Sequence, residues 1–183
     1  MSARPVDLGL LLWVVARVAG LTAYAVLGTA VVTGLALRSS VFQSLITNRA
    51  LRDTHTFATV LWIPLAVAHV GSLLLDQTAR LSLTQVLVPF SSAYASIGLG
   101  CGALSLDLAV LVIAAGLLRQ QAPRGLWLWV HRLAYAAFGA AFVHSLLTGT
   151  DVAEVGISAL VCAVAGGVAL LSLSRLLWGR LTT

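Results

Sequence analysis

Four histidines are the residues of this chain best equipped for chemistry: His55, His69, His131 and His144. All four lie in apolar sequence. His55 and His69 stand in THTFATVLWIPLAVAHVGSLLL, residues 54–75. His131 and His144 stand in LWLWVHRLAYAAFGAAFVHSLLTGT, residues 126–150. Neutral imidazole binds metals through one ring nitrogen and is a common axial ligand of haem iron. Two apolar segments with two imidazoles each are what a membrane protein needs to hold two haems, one near each face.

The composition supports a membrane setting. Of 183 residues, 60% are hydrophobic and 9% charged, and the mean hydropathy is +1.00. A soluble domain carries roughly 25% charged residues. The net charge of +5 comes from Arg alone, without any Lys. Arginines that flank apolar segments read first as a topology signal, so the basic balance does not indicate nucleic acid. Cys101 and Cys162 sit in separate apolar segments, and neither belongs to a C-x-x-C-H attachment motif. Any haem is therefore expected to be held non-covalently, and no disulfide is expected.

About 20 mainly apolar residues cross a bilayer. That ruler gives five spans: 8–37, 54–75, 94–118, 126–149 and 154–177. Lipid leaves backbone groups no outside partner, so the expected fold is an all-α bundle of five transmembrane helices in one domain. The apolar stretch 8–37 exceeds the roughly 7–15 residues of a signal-peptide core, and is read as a first helix. Residues 38–53 form a polar, basic link with room for a short interfacial helix. Residues 76–93 form the longest link; Pro89 and its serines argue against a full span, leaving it to lie along the surface or cover the bundle mouth. Residues 119–125 and 150–153 read as tight turns.

With the 38–53 link inside, eight arginines (Arg38, Arg49, Arg52, Arg119, Arg124, Arg132, Arg175 and Arg180) fall on the cytoplasmic side. Only Arg4 and Arg80 fall outside, and Arg17 is buried. This positive-inside bias places the N-terminus out and the C-terminus in, across a cytoplasmic (inner) membrane. Arg in place of Lys throughout hints at a high-GC bacterial genome. The second and fourth spans then run the same way. Depth pairs His55 with His131 near the cytoplasm and His69 with His144 near the outside. Spacings of 14 and 13 residues separate the two layers by roughly 20 Å at 1.5 Å per residue.

The helical wheel gives mixed support. Fourteen residues leave His55 and His69 about 40° apart, but thirteen leave His131 and His144 about 140° apart. A distortion at Gly139, or haems on different sides of that helix, would reconcile the second pair. A lone intramembrane His often makes only a polar contact. Four at matched depth are harder to read that way, because ionisable groups in lipid are costly and usually functional. A metal-ion transporter would need its ligands to converge, whereas these stand in two layers.

At these residues the chain resembles the ferric reductase-like transmembrane domain family. That family includes the membrane parts of ferric reductases and NADPH oxidases, and the haem subunit of the bacterial periplasmic methionine-sulfoxide reductase system. The matching stretches are ARVAGLTAYAVLG, HTFATVLWIPLAVAH, VPFSSAY and WVHRLAYAAFGAAFVHSLLTGTD, within residues 10–178. The resemblance implies two haems b, an inner one on His55 and His131 and an outer one on His69 and His144, passing electrons outward. Relatives with six helices, or with a flavin and NADPH-binding domain, differ from this chain. No Gly-rich dinucleotide motif occurs here, so the implied donor is a separate cytoplasmic flavin reductase or quinol.

Other polar groups follow from this frame. Arg17, about ten residues into the first span, needs a partner. An outer-haem propionate is one, favoured by the resemblance through R-x-x-G, and Asp107 at similar depth is the other. Arg132 suits inner-haem propionates or lipid headgroups equally. Thr54, Ser145 and Thr148 are candidates to bond haem or an imidazole, although hydroxyls more often bond their own helix carbonyls. Gly71, Gly139 and Gly149 are candidates for close approach. Tyr135 and Phe138 suit packing against porphyrin, core or lipid. Asp151 and Glu154 suit an outer acceptor site or a solvated loop.

The expected function is that of a di-haem cytochrome b, an oxidoreductase component for transmembrane electron transport. Its acceptor would be ferric iron, a partner oxidoreductase or oxygen. The alternative is a haem-bearing anchor subunit of a larger complex, with haem mainly structural.

Overall fold

The computed structural model describes residues 7–37 and 46–178. Arg4, Arg38, Arg180 and the first part of the 38–53 link lie outside the described residues. Five long helices carry the fold: α1 (Leu8–Ala36), α2 (Asn48–Leu75), α3 (Ser96–Leu117), α4 (Arg124–Thr148) and α5 (Val155–Trp178). Each is long and apolar enough to cross a membrane, and no strand occurs among the described residues. Large apolar side chains such as Val18, Phe57, Val67, Leu117 and Leu170 stay exposed on the helix flanks, as a lipid-facing surface requires.

The helix ends follow from local sequence. Asp7 caps α1 by accepting from the Gly9 and Leu10 amides. Thr47 caps α2 through the Ala50 amide, so α2 starts six residues before the expected span. The polar run NRALRD is thus a helical turn, with Arg49 and Asp53 paired at 3.8 Å across one turn. Pro64 sits inside α2 without ending it, which lipid-embedded helices tolerate.

α1 packs along α2, and α3 packs along α4, giving two antiparallel hairpins. Contact between the hairpins is much thinner and runs mainly from α1 to α4, while α5 lies against α1. Tyr24, Val31, Leu35, Phe138, Val161 and Val168 form the core where α1, α4 and α5 meet. Tyr24 stacks on Phe138 at 5.3 Å and donates its hydroxyl to the Val161 carbonyl at 2.9 Å. A second core of Ala23, Trp62, Ala66, Ala109 and Ala137 forms a waist between the hairpins. There the buried Ser105 hydroxyl ties α3 to α4 through the Ala137 carbonyl at 2.9 Å. On the His69–His144 side of this waist the space between the hairpins opens as a slit.

The 76–95 link lies over one mouth of the slit. It contains a one-turn helix, Leu83–Leu87, held by a reciprocal capping box between Ser82 and Gln85. Arg80, Phe90 and Ala95 adopt left-handed backbone, which lets the link fold back on itself. Phe90 then rests on Gly100 of α3, where any Cβ would collide with its ring.

Candidate functional site

All four histidines stand between the hairpins and meet in pairs from both sides, and His69 and His144 line the slit. His55 and His69 enter from α2, and His131 and His144 from α4. His55 meets His131 with ring centroids 6.1 Å apart and planes at 70°. His69 meets His144 at 6.2 Å and 78°. The depth pairing expected from sequence is therefore the pairing in the structure. α4 runs unbroken through Gly139, so the wheel offset of its histidines needs no local distortion. α2 and α4 face each other across a gap instead of packing side by side, and the imidazole arms take up the difference.

A repeated backbone device orients the rings. His69 donates its Nδ1–H to the Ala16 carbonyl at 2.7 Å, and His55 donates to Ala30 at 2.8 Å. Both acceptors lie on α1, fourteen residues apart, matching the histidine spacing on α2. His144 donates to the Gly98 carbonyl of α3 at 2.9 Å. A carbonyl can only accept, so Nδ1 carries the proton in these three rings. In neutral imidazole, Nε2 then keeps the free lone pair that a metal needs.

One turn beyond each carbonyl stands a glycine that makes room for the ring. A Cβ on Gly20 would lie 2.7 Å from the His69 Nδ1, and one on Gly102 would lie 2.7 Å from the His144 Nδ1. A Cβ on Gly34 would stand 3.4 Å from His55. Gly71 and Gly139, expected to permit close approach, have open space around them, while Gly149 abuts Ser145 and Val152 of its own turn. Close approach is needed on the helix that faces an imidazole, not on the helix that bears it. The matched fourteen-residue spacing of Gly20 and Gly34 was the sequence signal for this.

Hydroxyls add a second set of contacts. Thr148 donates to the His144 carbonyl at 2.8 Å and lies 3.3 Å from its Nδ1. Thr33 donates to Thr29 at 2.7 Å and approaches the His55 Nδ1 at 3.5 Å. Ser145 lines the cavity described below, and Thr54 is exposed.

A cavity of about 430 Å³ surrounds His69 and His144. Small-ligand sites usually span roughly 300–1,000 Å³. Its walls are widened by Gly20, Ala23, Ala66, Gly102 and Ala103, and its floor includes Trp62 at the waist. Gln85, Val86 and Tyr94 of the 76–95 link close over it, which settles that link as a cover of the mouth.

Arg17 also lines this cavity. Its partner is Asp151, in the 3-10 turn Thr150–Ala153, and its guanidinium lies over the Trp13 ring at 4.0 Å. The expected alternative, an ion pair with Asp107, does not form. Asp107 stands on α3 of the other hairpin, whereas the turn after α4 carries Asp151 directly onto α1. Asp151 is thus an ion-pair residue of the site and not part of a freely solvated loop. Arg132 is exposed and packs over the exposed Trp129 ring at 5.2 Å, on the outer flank of α4. Phe138 belongs to the core and Tyr135 to the exposed flank.

The chemistry these pairs can support is axial metal ligation. Two opposed imidazole nitrogens about 2 Å from one metal would set ring centroids about 6 Å apart, given about 1.1 Å from ring centre to nitrogen. Both pairs meet that spacing. Each pair offers two ligands, not the three or four of a protein-only metal site, so the equatorial ligands must come from another group. Cys101 and Cys162 are free thiols. No protein-family model, no curated protein and no solved structure matches the chain.

Proposed function

We propose that this chain is a di-haem cytochrome b of the ferric reductase-like type, carrying electrons across a cytoplasmic membrane. The observation that carries the reading is the paired imidazoles, spaced for one metal, with Nδ1 committed to backbone carbonyls in three of the four rings. His69 and His144 would hold the outer haem, and His55 and His131 the inner one. The small-residue walls around His69 and His144 suit a flat macrocycle. When bound, haem b supplies a one-electron ferric–ferrous couple.

The protein's part is position and environment. The Ala16, Ala30 and Gly98 carbonyls fix ring orientation and raise imidazole basicity. The 76–95 cover limits water at the outer mouth. Arg17, shared with Asp151, would offer a cation to a haem propionate, and the exposed Arg132 would serve headgroups at the inner interface. A cytoplasmic flavin reductase or quinol would donate, and ferric iron, a partner oxidoreductase or oxygen would accept outside.

Sealed vesicles containing the protein test this directly. With an impermeant reductant on one side and ferricyanide trapped on the other, haem-loaded protein should accelerate ferricyanide loss well above the rate in protein-free vesicles. His69→Ala protein should not. Equal rates for loaded wild-type protein and empty vesicles would refute the conduit.

A further inference from the structure

Trp127 occupies the first turn of α4, four residues before His131. Its indole lies nearly parallel to the His131 imidazole, with centroids 5.3 Å apart and planes at 20°. Its Nε1 is enclosed, and no acceptor for it occurs among the described residues. An indole N–H can only donate. Leaving such a donor buried and unpaired is costly. The neighbouring Trp129 makes a contrast: it is 69% exposed and sits under Arg132, as an interface tryptophan does. Tyr24, the polar aromatic of the main core, has its acceptor in Val161. Trp127 alone among these pairs a buried donor with a ligating ring.

The missing acceptor is defined by chemistry and place. Trp127 lies about 6 Å along α4 from His131, on the side away from the waist. A haem set between His55 and His131 would turn its carboxylates away from the apolar waist, toward the Trp127 end of α4. Resting on the di-haem reading above, we propose that the Trp127 Nε1–H donates to a propionate carboxylate of the inner haem. Trp127 is then a binding residue for that group, selecting a carboxylate-bearing porphyrin and its orientation.

The test uses release of the inner haem alone, in a His69→Ala background, to an excess of soluble apo-globin. Trp127→Phe keeps a ring against His131 and removes only the donor. It should release haem b about tenfold faster than its parent, the effect of one charge-assisted hydrogen bond. With haem dimethyl ester, which lacks the carboxylates, the two proteins should release at the same rate. Trp129→Phe should match its parent with either haem. Equal rates for Trp127→Phe and parent with haem b would overturn the inference, as would equal acceleration with the ester, which would mark a packing effect. Absence of haem from the wild-type chain, seen separately in its spectrum, would overturn the parent reading and the inference together.

Discussion

Gly20 and His69 fit together as seat and ring: a single methyl group on Gly20 would stand 2.7 Å from the His69 Nδ1. The same ring donates to the Ala16 carbonyl one turn earlier on α1. Gly102 and Gly98 repeat the arrangement beneath His144. The His69–His144 pair is therefore set by two helices that carry no histidine.

Gly20→Ala and Gly102→Ala should each push a ring out of line and weaken the outer haem by about 1–3 kcal/mol, the usual cost of overpacking. Haem per chain should fall from two toward one in a pyridine-haemochrome assay. Gly34→Ala, with 3.4 Å available, should lose little, and Gly139→Ala nothing.

The pairing itself can be counted. His69→Ala and His144→Ala should each remove one haem, and the double variant should still remove only one. His69→Ala combined with His131→Ala should remove both. A double variant of one layer that loses two haems would break the pairing read from the 6.1 and 6.2 Å ring contacts.

Arg17→Gln removes a cation from the His69–His144 cavity, which would favour the ferric state of the nearer haem. One of two midpoint potentials should fall by roughly 59 mV, a tenfold shift for one electron. The other should stay fixed in a redox titration. Movement of neither would limit Arg17 to its structural pair with Asp151.

Tyr24→Phe deletes the hydroxyl that links α1 to the Val161 carbonyl of α5. It should lower thermal stability by about 1 kcal/mol while leaving haem content unchanged, because the ring that lines the His69–His144 cavity stays and only the hydroxyl turned to Val161 is lost.

Five helices, their order and the histidine layers were legible in the sequence, because hydropathy and spacing report length and depth. Depth alone could not identify partners that belong to the turns. Arg17 and Asp107 stand at similar depth, yet the residues after α4 curl back and deliver Asp151. Nor could the wheel place His131 and His144 together, since it treats helices as touching rods and these two face a gap. The glycine seats left only a faint signal, the fourteen-residue spacing that Gly20 and Gly34 share with His55 and His69, because a glycine in an apolar helix carries meaning only once the ring opposite it is known.

The most direct measurement is a dithionite-reduced minus oxidised absorption spectrum of the purified protein, with haem counted per chain. A b-type spectrum with two haems per chain is the expected result. A folded protein that binds no haem when haem is supplied would contradict the reading, and the paired imidazoles would then be polar contacts between two helix hairpins.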